Sequence, residues 1–346
     1  IYQMAQYLNR MNKKIIFIAE AGVNHNGDKV IAKKLIDKAA LAGADYIKFQ
    51  TYNVEKLIKK NTLKTAYQIK NTGDTTDQYE MLKKLQLSKE DHIKLIKYSK
   101  IKKIKFLSSA FDIQSLKFLN QLKLDKIKIP SGEITNTPYL EYVAKLNKET
   151  ILSTGMSTMR EIQFALNILI KNGLKKNKIT LLQCNTDYPT SINDANINAM
   201  VTMKKKFSIK VGYSDHTLGI ESSLAAVALG ARLIEKHFTL NKSSAGPDHA
   251  ASITPIELKK LIMLVNNVKL ALGSKAKKPT KSELKNKNLV RKKIFTSKEI
   301  KKGEIFSYNN LITLRGSSGV CASEWGKYIG KKSKKKYKKN TIIKKQ

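Results

Sequence analysis

The chain has 346 residues, 41% of them hydrophobic, which allows two domains or one large α/β domain with an appendage. Only five of the 66 basic residues are arginines, the side chains best suited to bases and phosphates, so the net charge of +39 does not predict nucleic-acid binding. No apolar run is long enough to span a membrane, no signal peptide is visible and the two cysteines lie far apart, so we expect a cytoplasmic protein without disulfides.

Residues 1–13 are predicted to be an N-terminal extension, and strand-type and helix-type patterns alternate from residue 14 to residue 272. Helix-type spacing of apolar residues occurs at 30–44, 160–173 and 254–271. Eight strand–helix repeats in this length predict a TIM (β/α)8 barrel, an α/β fold, with an insertion at 53–87 near its mouth. The predicted strands are 15–23, 46–52, 105–111, 126–133, 150–156, 179–185, 209–215 and 233–239.

The C-terminal part of the chain has a different pattern. Residues 273–289 are polar, rich in lysine and interrupted by proline, as is typical of a linker. Short strand-like pieces follow, so residues 290–346 are predicted to form a small separate domain.

Polar side chains stand at the C-terminal end of each predicted strand. In a parallel barrel these ends meet on one face, where the active sites of such folds lie. We therefore interpret them as one site. They are Glu20, Lys48, Gln50, Ser109, Ser131, Glu133, Ser153, Asn185, Ser214 and His216.

Two histidines end the last two predicted strands, His216 and His237, and Asp248 follows shortly after. A single histidine in an apolar run is more often a packed core residue than a ligand. Two of them on neighbouring strands can share one divalent ion, so the spacing favours a metal site.

Six motifs carry a family resemblance, and they occur in order along residues 14–346. The chain resembles the sialic acid synthase family, which comprises N-acetylneuraminate synthases and their legionaminate and pseudaminate relatives. The resemblance implies a TIM barrel followed by an antifreeze-like SAF (β-clip) domain, and a homodimer with swapped C-terminal domains. The motifs are IAEAGVNHNG (18–27), KFQTY (48–52), KIPSGE (128–133), LSTGM (152–156), GYSDHTLGIE (212–221) and IEKHFTL with GPDH (234–249).

The resemblance also implies a reaction, the condensation of phosphoenolpyruvate with an N-acyl hexosamine. His216 and His237 would hold Mn²⁺, with Mg²⁺ or Co²⁺ as alternatives, and the ion would polarise the sugar aldehyde. Glu20 would manage the aldehyde proton and Glu133 would activate water. The residues expected to bind substrate are Lys48, Gln50, Ser109, Lys128, Ser131, Ser153, Asn185, Tyr188, Ser214, Asp248 and Arg315.

Several details stay open. Asn185 and Thr186 compete for one family position, and Glu235 could support the metal or pair with a barrel lysine. Arg315 stands in RGSSG, which lacks the proline usual in the family, so the resemblance does not fix its placement. His92 is predicted to lie at the surface.

Three functions remain in competition. The first is synthesis of N-acetylneuraminate from N-acetylmannosamine, with a 2,4-diacetamido-trideoxy sugar as the alternative substrate. The second is a basic nucleic-acid-binding protein on a relic barrel, which would bind in a salt-sensitive way without turnover. The third is a pyruvate aldolase, which would use a lysine Schiff base and need no metal.

Overall fold

The computed structural model of the protein describes residues 14–73 and 76–345. The chain divides into two compact units, the first ending at Gly273 and the second beginning at Ser274. The extension predicted for residues 1–13 lies outside the described residues. No helix among the described residues combines the length and the apolar character that a membrane crossing requires.

The first unit is a closed barrel of eight strands, each hydrogen-bonded to the next along the chain. All eight pairings are parallel, including the pairing of the last strand with the first. The TIM barrel prediction is therefore confirmed. The strands are β1 (Ile16–Gly22), β2 (Tyr46–Thr51), β3 (Lys105–Ala110), β4 (Lys126–Ile129), β5 (Glu149–Ser153), β6 (Ile179–Gln183), β7 (Lys210–Asp215) and β8 (Leu233–His237).

Helices connect the strands, and local chemistry sets their ends. Thr158 and Thr254 cap their helices as the first member of a capping box, and Gly43 ends the first helix with a φ of 91°. The helices are α1 (Lys29–Ala42), α2 (Val54–Leu57), α3 (Ala66–Thr72), α4 (Gln78–Leu85), α5 (Lys89–Ile101), α6 (Ile113–Gln121), α7 (Thr137–Leu146), α8 (Met159–Lys171), α9 (Asn198–Phe207), α10 (Glu221–Ala228) and α11 (Pro255–Ala271).

An apolar layer fills the N-terminal half of the barrel interior. Its buried members come from six strands and form a cluster of their own: Ile18, Tyr46, Leu107, Ile151, Leu182 and Leu233. Because side chains alternate along a strand, the residue two positions further on points to the same side. On these six strands that residue is Glu20, Lys48, Ser109, Ser153, Cys184 or Glu235, so the next layer is mostly polar.

The predicted insertion at 53–87 folds as the three helices α2, α3 and α4. A small apolar cluster joins it to the barrel rim: Val23 and Tyr52 pack with Met81 and Leu85 of α4. The insertion thereby contributes an apolar wall beside the C-terminal ends of β1 and β2.

A polar network lies on the outer side of β2 and β3. The Thr51 hydroxyl lies 2.7 Å from His92 Nε2 and 2.7 Å from the Ser108 hydroxyl. His92 on α5 is 1% exposed, so the prediction that it lies at the surface was wrong. Helix α5 mixes polar and apolar residues, so its pattern does not indicate that His92 is buried. The buried hydroxyl groups that form hydrogen bonds in this network come from residues distant in the sequence.

The second unit contains helix α12 (Lys281–Val290) and the antiparallel strands β9 (Lys292–Thr296) and β10 (Leu311–Arg315). Its core is small and includes Ile294, Phe306 and Ile343. Helix α12 occupies the second half of the segment predicted as a linker, and it begins with a capping box from Thr280 and Glu283. This cap sits in a lysine-rich segment whose apolar residues are too sparse to predict a helix.

Candidate active site

A cavity of about 570 Å³ opens at the C-terminal ends of the barrel strands, a size typical of small-molecule sites. Twelve of the residues predicted from the sequence to bind substrate, metal or protons line it together. They are Glu20, Lys48, Gln50, Ser109, Lys128, Ser131, Ser153, Tyr188, Ser214, His216, His237 and Asp248.

Three predicted residues are not among those that line this cavity: Glu133, Asn185 and Arg315. Glu133 follows the lining residues Ser131 and Gly132, and its carboxylate accepts a hydrogen bond from Asn136 Nδ2 at 2.5 Å. Arg315 ends β10 in the second unit, where its side chain is exposed. The roles predicted for Glu133 and Arg315 stay predictions.

Strand alternation explains which of two competing neighbours faces the cavity. Leu182, Cys184 and Thr186 point inward, and Thr186 lines the cavity. Asn185 points the other way, and its side-chain oxygen accepts a hydrogen bond from the Asp187 backbone at 2.8 Å. Its backbone carbonyl instead holds a ring nitrogen of His216. The two-residue period of the predicted strand could have identified Thr186 from the sequence.

Two buried lysines form the charged centre of the cavity. Lys48 Nζ lies 2.8 Å from Glu20 Oε2 and donates to Ser109 Oγ at 2.9 Å. Lys128 Nζ donates to Ser153 Oγ at 2.6 Å. Both ammonium groups are buried and already bonded to a hydroxyl, so they are oriented before any ligand arrives.

Glu235 bridges these two lysines. Its Oε1 lies 3.7 Å from Lys48 Nζ and 3.6 Å from Lys128 Nζ, and it accepts a hydrogen bond from Ser214 Oγ at 3.0 Å. Of the two roles left open for Glu235, the structure has the ion pair with barrel lysines.

Burial and neighbouring charges shift the ionisation of this cluster. Burial raises the pKa of Glu20 to about 7, although Lys48 opposes the shift. Burial also raises the pKa of Asp248 to about 7 and lowers the pKa of Lys128. Burial raises the pKa of Glu235, but Lys128, Lys48 and the hydrogen bond from Ser214 act together to bring it below its usual value, so that carboxylate is ionised. The cavity therefore holds carboxyl groups that exchange protons near neutral pH.

The two histidines predicted as ligands lie side by side, with ring centroids 5.3 Å apart. Burial lowers the pKa of His216 to about 4 and the pKa of His237 well below its usual range, so both rings are neutral. The Nδ1 atom of His216 faces the Asn185 carbonyl, which can only accept, so Nδ1 carries the hydrogen. Nε2 therefore has a lone pair, and the Ser214 hydroxyl lies 3.3 Å from it.

Two features of the described residues decide whether this site suits a divalent ion. Among residues 14–73 and 76–345, no group of three or more histidine, cysteine or acidic side chains is arranged to hold a metal. The described residues also leave the buried Nδ1 of His237 without a hydrogen-bond partner, and Asp248 Oδ2 lies 3.7 Å from it. Two neutral rings and one unsatisfied nitrogen fit an ion whose remaining ligands are substrate and water.

Helix α3 of the insertion supplies residues that sequence reasoning missed. Its Tyr67 lines the cavity and packs on Tyr188 with ring centroids 5.0 Å apart, and Tyr188 in turn lies 4.2 Å from His216. Asn71 Nδ2 donates to the carbonyls of Tyr188 and Pro247 at 3.2 and 2.6 Å. The helix is thereby tied to the two loops that carry Tyr188 and Asp248.

The fold and the cavity define a (β/α)8-barrel protein with a buried ionisable site at the barrel mouth. Comparison with known proteins identifies the family. The model of the NeuB family matches residues 35–277 and that of the SAF domain matches residues 291–346. The chain therefore belongs to the NeuB family, and the predicted resemblance to sialic acid synthases with a C-terminal SAF domain is confirmed.

Individual relatives extend this comparison over nearly the whole chain. The N,N'-diacetyllegionaminic acid synthase of Campylobacter jejuni is 51% identical, with 96% of this chain and 99% of that protein covered. The N,N'-diacetyllegionaminic acid synthase of Legionella pneumophila is 44% identical over 90% of this chain and 88% of that protein. The crystal structure of the N-acetylneuraminic acid synthetase of Leptospira borgpetersenii matches with a TM-score of 0.71 at 36% identity, covering 80% of this chain and 90% of that one.

Proposed function

We propose that the protein condenses phosphoenolpyruvate with a 2,4-diacetamido-trideoxy hexose to give a legionaminic-acid-type sugar acid and phosphate. The observation that carries the proposal is the pairing, in one cavity, of two buried serine-bonded lysines with two neutral histidines. The lysines suit a small, highly charged anion, and the histidines suit a Lewis-acidic ion beside it.

The anion would lie against Lys48 and Lys128. Of its three hydrogens, the Lys48 ammonium directs two toward Ser109 and Glu20, and the Lys128 ammonium directs one toward Ser153. Each lysine therefore retains at least one donor hydrogen for a phosphate or carboxylate oxygen. Hydrogen bonds to charged groups contribute about 1.5–3 kcal/mol each, so a few of them suffice to hold a phosphorylated acid. Ser131 and Ser214 line the same cavity and would add neutral donors.

The choice of sugar rests on the relatives and on one wall of the cavity. Sequence analysis put N-acetylmannosamine first, but both legionaminic acid synthases reported above support the alternative better. The insertion and the rim give the cavity an apolar wall that includes Tyr52, Leu57, Met81, Leu82 and Phe111. Such a wall favours a sugar that carries a methyl group and a second acetamido group in place of hydroxyls.

The reaction would run through the chain's own groups as follows. C3 of phosphoenolpyruvate forms a bond to the aldehyde carbon, and the aldehyde oxygen takes a proton from Glu20, whose pKa near 7 suits this exchange. Water adds to C2, and phosphate then leaves with cleavage of its C–O bond. Glu133 stays the predicted base for that water, and burial raises its pKa toward the range a base requires.

A divalent ion, Mn²⁺ first and Mg²⁺ or Co²⁺ as alternatives, would be held by His216 and His237. When bound, it supplies Lewis-acid polarisation of the sugar aldehyde. The Asn185 carbonyl fixes the tautomer of His216 that leaves Nε2 as a donor to the ion. Tyr188 packs on the other side of that ring and limits its rotation.

The test is a substrate comparison with the purified protein. Phosphoenolpyruvate and Mn²⁺ are combined with the 2,4-diacetamido-trideoxy sugar or with N-acetylmannosamine, and phosphate and sugar acid are measured. We expect a higher kcat/KM for the diacetamido sugar, and no turnover after chelation or in the His216→Ala, His237→Ala double variant. In ¹⁸O-labelled water the released phosphate should stay unlabelled, because the C–O bond breaks.

Two results would overturn the proposal. Preference for N-acetylmannosamine would restore the first expectation for the substrate. Turnover of free pyruvate with full activity after chelation, together with trapping of a lysine adduct by borohydride, would instead establish an aldolase. The swapped homodimer, the contribution of Arg315 and the cytoplasmic location stay predictions.

A further inference from the structure

The residues next to the two neutral histidines in the sequence, Asp215 and Lys236, form a pair of charged side chains. Lys236 Nζ lies 2.9 Å from Asp215 Oδ2, and the two residues are 1% and 0% exposed in the order Lys236, Asp215. They are direct cross-strand partners in the pairing of β7 with β8. The ion pair therefore joins the residue next to His216, at the end of β7, to the residue next to His237 on β8.

Strand alternation separates this pair from the cavity. Ser214 and His216 line the cavity, as do Glu235 and His237. Asp215 lies between the first two in sequence and Lys236 between the last two, so both point to the other side of the sheet. Asp215 and Lys236 are accordingly absent from the cavity lining. They do not meet a ligand in the cavity, so any role they have in the site acts through their neighbours.

Further hydrogen bonds connect the ion pair to residues beyond the two strands. Asp215 Oδ1 accepts hydrogen bonds from the backbone and hydroxyl of Thr217 at 2.9 and 2.7 Å, and Oδ2 accepts one from Ser223 Oγ of α10 at 2.6 Å. Lys236 Nζ donates to the Thr217 carbonyl at 2.8 Å. Residues on both sides of His216 are thus held by the same carboxylate and ammonium.

A buried ion pair usually adds little to the stability of a fold, because well-packed apolar residues of similar volume often make the protein equally stable or more stable. What such a pair supplies is directional bonding that fixes one arrangement of its neighbours. We infer that Asp215 and Lys236 are positioning residues that hold His216 and His237 in the geometry needed to bind a divalent ion. This inference rests on the proposed metal-dependent function.

The experiment measures metal affinity on the full chain without substrate. Mn²⁺ binding is followed by the electron paramagnetic resonance signal of the free ion, well below the unfolding temperature of each variant. The variants are Lys236→Met and the double variant Asp215→Asn, Lys236→Met. We expect Mn²⁺ affinity to fall 10- to 100-fold in both, the range typical when partners of metal ligands are removed.

The double variant separates positioning from folding. Lys236→Met alone leaves a buried carboxylate without its cation, so this variant should unfold at a lower temperature, whereas the double variant removes both charges and should recover stability. The Mn²⁺ affinity of the double variant should stay low even though its stability recovers. A matched control is Ser108→Ala, which cuts an outer-face network on β2 and β3 away from the histidines and should leave Mn²⁺ affinity unchanged.

The outcomes are distinguishable. If the wild type fails to bind Mn²⁺, or binds it as well after His216→Ala and His237→Ala, the proposed metal-dependent function is wrong and the inference falls with it. If the wild type binds through these histidines and the stable double variant binds equally well, the function stands. The ion pair is then structural only, and the inference is overturned.

Discussion

The Glu235 carboxylate offers the sharpest test of the charge balance in the cavity. It lies 3.6 Å from Lys128 Nζ and 3.7 Å from Lys48 Nζ. In the described part of the chain, Lys48 has a second acidic partner in Glu20, whereas Glu235 is the acidic group that Lys128 contacts. Replacement by glutamine, Glu235→Gln, keeps the shape of the side chain and removes its charge.

The expected loss follows from the burial of Lys128, which is 3% exposed. Removing one partner of a buried ion pair costs about 3–5 kcal/mol, because the remaining charge is left without compensation. In a domain of this size each kcal/mol lowers the melting temperature by about 2–4 °C, so Glu235→Gln should melt on the order of 10 °C below the wild type. The assay is thermal unfolding followed by circular dichroism, without substrate.

The stability loss in Glu235→Gln should also depend on pH. Burial lowers the pKa of Lys128, and the Glu235 charge opposes that shift, so the pKa falls further in the variant. At neutral pH the variant must bury an ammonium ion, and above the lowered pKa the folded state holds a neutral amine instead. The stability loss should therefore be largest near pH 7 and shrink toward pH 10.

The matched control is Glu149→Gln, which removes a carboxylate 3.7 Å from Lys210 in a pair whose side chains are 42% and 49% exposed. Such exposed pairs contribute at most about 1 kcal/mol, so this variant should melt close to the wild type at every pH. The reasoning is refuted if Glu235→Gln and Glu149→Gln melt alike at pH 7, or if the loss in Glu235→Gln is the same at pH 10.

Two further predictions concern the walls of the cavity. Gly155→Ala places a methyl group 2.7 Å from Thr186 Cγ2 and 2.9 Å from Ser131 Oγ, so the phosphoenolpyruvate KM should rise severalfold, and an unchanged KM would contradict the assignment of Ser131. Tyr67→Leu removes the ring that packs on Tyr188, so steady-state kinetics should give a higher KM for the sugar and little change for phosphoenolpyruvate. Tyr67→Phe keeps that ring and serves as its control.

The barrel could be predicted because its strands and helices carry strong periodic patterns. Seven of the eight strands lie within the predicted ranges, and β5 begins one residue earlier, at Glu149. The two-residue alternation along the strands already orders most of the cavity lining. The pairing of His216 with His237 followed from the same logic, because parallel strands place their C-terminal ends together.

The other features of the site and fold depend on contacts between residues that follow no periodic pattern in the sequence. Helix α3 lies in the insertion, and only its packing on Tyr188 reveals that Tyr67 belongs to the site. His92 looked exposed because its helix has a mixed polar pattern, and its burial depends on hydroxyls from β2 and β3. Thr186 was predictable in principle, but extending strand parity past the last pairing of β6 requires knowing that the chain continues in the same direction.

The net charge of +39 says little about the site, because the cavity chemistry depends on five buried groups. Lys48 and Lys128 are opposed by Glu20, Glu235 and Asp248, so the cavity is close to neutral when all five are ionised. Because Glu20 and Asp248 have pKa values of about 7, an incoming anion favours their protonated forms. Under the proposed function, the cavity would thereby become cationic when phosphoenolpyruvate binds, and Glu20 would hold a proton for the aldehyde oxygen.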